Sequence, residues 1–91
     1  MNPAIQHSPT TSQFRTADAA QHGVLQYRLN GGVMSIVHTE VAPEHRGRGV
    51  AAALMQAALA HARAHALKVR PLCSYASVYM KRHLETQDLL A

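Results

Sequence analysis

The spacing of apolar residues changes from two to 3.6 between Val41 and Gly49, and this change constrains the fold more than any other feature of the chain. Val24–Asn30 alternates, with Leu25, Tyr27 and Leu29 on one face and Gln26 and Arg28 on the other, as in a half-buried strand. Asn30-Gly31-Gly32 follows. Asparagine and glycine tolerate positive φ, so a tight hairpin turn is expected. Val33–Val41 is β-branched and apolar, a second strand in which Met34, Ile36, His38 and Glu40 share one face and Val33, Ser35, Val37, Thr39 and Val41 the other. Pro43, which has no amide donor, ends the pairing. From Gly47 the pattern is helical: Ala51, Leu54, Met55, Ala58, Leu59, Ala62 and Ala66 form one apolar stripe, and Gln56, Ala60 and Arg63 face away.

The flanks supply smaller elements. Gln13–Thr16 reads as a short strand and Ala17–Gly23 as a turn. Lys68–Leu72 reads as a strand with Pro71 near its end. Ser74–His83 reads as a second, shorter helix with Tyr75, Tyr79 and Val78 turned inward. Residues 1–12 carry Ser, Thr, Pro and Gln without periodicity, which predicts a disordered tail and leaves 13–91 as one domain. The expected order is β-β-β-α-β-α, an α+β fold. A chain of 91 residues buries only roughly 60% of its unfolded surface, so every core position counts. Cys73 is the sole cysteine, which rules out an internal disulfide and suggests a reducing compartment. No stretch approaches the ~20 apolar residues of a membrane span. The N-terminal residues lack the charged start and apolar run of a secretory signal. A cytoplasmic protein, monomeric or weakly dimeric, is expected.

The formal charge of +4 favours anionic partners. The junction Arg46-Gly47-Arg48-Gly49-Val50-Ala51 points to one class of anion. The first amides of a helix lack partners and carry partial positive charge, which together bind phosphate. Gly47 and Gly49 have no Cβ and let the backbone approach the anion; Arg46 and Arg48 add forked donors. A Gly-Lys-Ser/Thr ending is missing, which excludes the nucleotide-hydrolase loop, and Gly-x-Gly-x-x-Gly is missing, which argues against a dinucleotide fold. A tight turn with no ligand is the bland alternative.

These residues resemble the acyl-CoA loop of the GNAT N-acetyltransferases. The likeness is to a small single-domain branch, carried by His38-Thr39-Glu40-Val41 before the loop, Pro71-Leu72-Cys73-Ser74-Tyr75 after the helix, and Tyr79, Arg82 and His83 beyond. It implies a mixed, mostly antiparallel GNAT-like sheet with a long central helix and a second short one. It further implies that acetyl-CoA or coenzyme A sits where Val33–Val41 and Lys68–Leu72 splay apart. Backbone at Val41 and Ala42 would pair with the pantetheine arm, and Arg46, Gly47, Arg48, Gly49, Val50 and Ala51 would hold the pyrophosphate. In many relatives a carboxylate lies about eleven residues before the loop motif; here that position is Ser35.

Acetyl transfer to an amine needs a polarised thioester, a neutral amine and an acid for the departing thiolate. Cys73, at a strand end where a helix begins, is a candidate to take the acetyl group or to protonate the leaving thiolate. A small buried hydrophobe is the alternative reading. His38 with Glu40 is a candidate base with its orienting partner, or a solvent-side pair. His61 and His65, at i and i+4 with no acidic residue between, make no metal site and are expected, with His45, to face solvent. The function implied is a minimal acetyl-CoA-dependent N-acetyltransferase acting on a small-molecule or peptide amine. The alternative is a non-catalytic CoA- or acyl-CoA-binding module. Nucleic acid ranks behind both, since stacking aromatics are few and no reading motif is present.

Overall fold

A computed structural model describes residues 4–91. The hairpin forms as its sequence dictates. Strand β3 (Val24–Asn30) turns through Gly31 and Gly32, both at positive φ, into β4 (Val33–Glu40), as a two-residue type I′ turn requires. β2 (Gln13–Thr16) pairs antiparallel with β3. Helix α1 (Val50–Ala64) then carries the chain back so that β5 (Lys68–Pro71) lies parallel to β4. Helix α2 (Ser74–Arg82) follows, and a 3₁₀ segment over Leu84–Leu89 leads to a bridge between Leu90 and Val69. No helix of the described residues is long and apolar enough to cross a membrane.

The expectation of a disordered tail over 1–12 is corrected. Ile5–Ser8 is a strand, β1, paired antiparallel with β2 from Ile5↔Thr16 to Ser8↔Gln13. Its four residues are too short for a period to show, and pairing with β2 supplies what propensity does not. Met1–Pro3, the start of that stretch, lie outside the described residues. Among the described residues the sheet therefore has five strands in the order β1-β2-β3-β4-β5.

The core lies on one face of the sheet. Phe14, Leu25, Tyr27, Met34, Ile36 and Val69 meet Leu54, Met55, Ala58, Leu59 and Ala62 of α1, with Ala76 and Met80 of α2. Burying each large aliphatic side chain contributes about 1.5–3 kcal/mol. Four apolar positions depart from the periodic reading. Leu29, Tyr75 and Val78 are exposed. Ala66 lies beyond the end of α1 at φ 55° and is exposed.

The most consequential departure is a bulge. Gln26 pairs with His38 and Tyr27 with Ile36, leaving Val37 without a partner on β3. One extra residue reverses the facing of everything after it. Met34 and Ile36 are buried as expected, but His38 and Glu40 do not share their face: both are exposed. Thr39, opposite buried Leu25, comes to the core side instead, and Val41 is buried after it.

Candidate functional site

Two features of β4 open a cleft. Its pairing with β5 stops at Ile36↔Pro71, and Leu72 and Cys73 both donate their amides to the Ile36 carbonyl (2.9 and 3.1 Å) as the chain turns away. Among the described residues, that edge of β4 has no neighbouring strand from Val37 onward. Below it, Pro43–His45 makes a 3₁₀ turn closed by the His45 amide on the Ala42 carbonyl (2.9 Å). Gly47 (φ 78°) and Gly49 (φ 81°) then turn the chain into α1. Gly49 is the N-cap: its carbonyl accepts the Ala53 amide at 2.9 Å, and no side chain caps the first turn. The earliest amides of α1 are thus left as unpartnered donors. Alanine would be strained at either glycine, although a Cβ there meets open space.

These elements enclose a cavity of about 520 Å³, open on one side, lined by His38, Thr39, Glu40, Val41, His45, Arg46, Gly47, Gly49, Val50, Ala51, Ala52 and Tyr75. Most of the residues expected from sequence meet here. Three do not line it: Ala42 is buried behind the turn, Arg48 is exposed, and Cys73 stands half-buried beside it. Of the residues that line it, Ala52 was not singled out in the sequence, Thr39 entered only as part of a motif, and His45 had no site role. The bulge moves Thr39, and the 3₁₀ turn half-buries His45, which was expected to face solvent.

Cys73 is the N-cap of α2. Its Sγ accepts the Ala76 amide at 3.4 Å and lies 3.6 Å from Thr39 Oγ1. His38 Nε2 lies 4.0 Å from Glu40 Oε2 in an exposed pair. Ser35, at the position where many relatives carry a carboxylate, is paired between Arg28 and Arg70 in the closed part of the sheet. Burial pushes the Tyr75 hydroxyl pKa up, and Tyr79 reinforces the shift, so Tyr75 presents a protonated hydroxyl. Next to the main cavity, sharing Ala52 and Tyr75, a smaller one of about 210 Å³ lies between the helices with Gln56, Arg82 and His83 in its wall. There His83 stacks on Tyr79 (3.9 Å between centroids) and donates Nδ1–H to the Tyr79 carbonyl at 2.8 Å.

The family model of GCN5-related N-acetyltransferases matches residues 13–89. The chain belongs to that family. Its fold also resembles the NMR solution structure of a GCN5-like N-acetyltransferase candidate from Staphylococcus aureus, with a TM-score of 0.78 and 27% identity over 99% of this chain and 89% of that one. The family uses acetyl-CoA as acetyl donor and amines as acceptors, which makes this GNAT domain an N-acetyltransferase by membership.

Proposed function

We propose that the cleft beside the unpaired end of β4 holds acetyl-CoA and that the chain transfers its acetyl group to an amine. The observation that carries this is the meeting of three things in one cavity: an open strand edge at His38–Glu40, a helix start without a cap, and Arg46. An open edge offers hydrogen bonds to the amide-containing pantetheine arm. The uncapped amides of Val50 and Ala51 with the Gly47–Gly49 backbone suit a pyrophosphate. Arg46 adds a forked donor, and Arg48 contributes charge from the loop surface. The smaller cavity toward Arg82 leaves room beyond the phosphates for the nucleotide.

In this reading the reaction runs through Cys73. The thiol sulfur attacks the thioester carbonyl, the bond from the acetyl carbon to the CoA sulfur breaks, and the proton lost by Cys73 ends on the departing CoA sulfur. A neutral amine then attacks the acetyl-cysteine, forming the amide and returning the thiol. Thr39 Oγ1, 3.6 Å from Sγ, orients the sulfur and donates to it during attack. The exposed His38–Glu40 pair on the cavity rim takes the proton of an incoming ammonium acceptor.

Intact-mass spectrometry after mixing with acetyl-CoA tests the route. A gain of one acetyl group, lost on adding a broad amine panel and absent in Cys73→Ala, is expected. No adduct together with full turnover in Cys73→Ala would leave direct transfer. Tight acetyl-CoA binding with no turnover of any amine would leave the non-catalytic binding module.

A further inference from the structure

Away from the cleft, three histidines meet where the edge strand rests on the helix. His7, from β1, stacks flat on Phe14 (4.2 Å, 5°) and meets His61 of α1 edge-on at 4.4 Å. His61 stacks in turn on His65 at 4.1 Å. His7 Nε2 is hydrogen-bonded to the hydroxyl of buried Tyr27. Apart from Ile5, His7 is the side chain by which β1 packs inward, since Gln6 is exposed on the other face opposite Arg15. Packing of this edge strand on α1 therefore rests on Ile5 and an imidazole stack, beside its ladder with β2.

Among the described residues no carboxylate is paired with His7, His61 or His65. From β2 the stack meets Phe14, and Arg15 points to the opposite face. From β3 it meets Tyr27. From α1 it meets His61 and His65, while the neighbouring Arg63 is held in a two-pronged pair with Asp88 (2.6 and 3.1 Å). Among the described residues the only carboxylate paired with a histidine is Glu40, with His38.

We propose that this stack is a proton-operated latch: acid charges His7 and His61, their mutual repulsion lifts β1 from α1, and the edge of β2 is exposed. Burial lowers the His7 pKa below its ordinary 6.5, with His65 adding to the shift. Burial, then His65 and His7, lowers that of His61. The sign follows. Below 6.5 the released strand binds protons that the docked strand refuses, so docking is complete above that pH and is lost as pH falls through the lowered values.

Hydrogen exchange of the whole chain, read as protection factors corrected for intrinsic rates, tests the latch. Between pH 7.5 and 5.0 the β1 amides are expected to lose at least tenfold protection. The β3–β4 ladder should change less than threefold, and return to pH 7.5 should restore β1. In His61→Gln the loss at β1 should shrink below threefold; exposed His65→Gln gives the same reading if that variant does not fold. Constant β1 protection across this range, or an undiminished loss in His65→Gln, overturns the proposal.

Discussion

Gly23 joins the sheet to the start of α1 with no room to spare. A Cβ at this glycine would lie 2.8 Å from Thr16 Cγ2, 2.8 Å from Val50 Cγ1 and 3.4 Å from Leu54 Cδ1. Two of these contacts fall about 0.6 Å short of ordinary van der Waals distance. Neither neighbour yields easily. Threonine and valine are stiff at χ1, and the Thr16 hydroxyl is fixed by accepting the Gly23 amide at 3.2 Å. Overpacking of this kind costs about 1–3 kcal/mol. Replacing glycine also restricts the unfolded chain, which returns about 0.4–1 kcal/mol. The clash wins, and Gly23→Ala should destabilise by about 1–2 kcal/mol. For a domain of this size each kcal/mol moves Tm by roughly 4–8 °C, so Tm should fall by roughly 4–16 °C. Val50 is the first residue of α1, so the same push displaces the amides assigned to the pyrophosphate, and acetyl-CoA affinity should weaken too. Denaturant unfolding measures the first effect and calorimetric titration the second. Shaving the neighbour should partly relieve the strain: Gly23→Ala with Val50→Ala should cost less than the two single changes added, by about 0.5–1 kcal/mol. A Gly23→Ala variant within about 0.5 kcal/mol of the parent, with additive behaviour in the double variant, would show the contact to be absent.

Gly49→Ala and Gly32→Ala carry the same backbone strain, roughly 1–2 kcal/mol for a left-handed non-glycine residue, since both sit at positive φ with open space around the new Cβ. Both should lose stability, but only Gly49→Ala should lose acetyl-CoA affinity in calorimetry; equal affinities would remove the phosphate from this loop. Thr39→Val keeps the shape of the side chain and removes the hydroxyl beside Cys73. Single-turnover acetylation of Cys73 should slow by about tenfold or more, the effect of losing a contact worth about 1.4 kcal/mol in the transition state. Acetyl-CoA affinity should stay unchanged, and Thr39→Ser should recover most of the rate. Loss of affinity without loss of rate would make Thr39 part of the cavity wall only.

The sequence by itself determined the elements and their order from Gln13 onward, because each rests on a local rule. Alternation marks β3, the Asn30-Gly31-Gly32 turn closes the hairpin, and the alanine stripe marks α1. The two glycines that open the helix and the arginines around them were equally legible, since helix ends and positive φ are local properties. What the tertiary structure alone decided was the facing of the site. Nothing in Val33–Glu40 signals that Val37 drops out of register, because a bulge is set by how two strands fit together. That one residue sends His38 and Glu40 to the surface and brings Thr39 against Cys73. Likewise, four residues of β1 carry too little pattern to declare a strand, and only β2 beside them and the histidines of α1 beneath give them a place. Periodicity reports which way a side chain would point in an ideal element; partners from distant sequence decide where the element departs from the ideal.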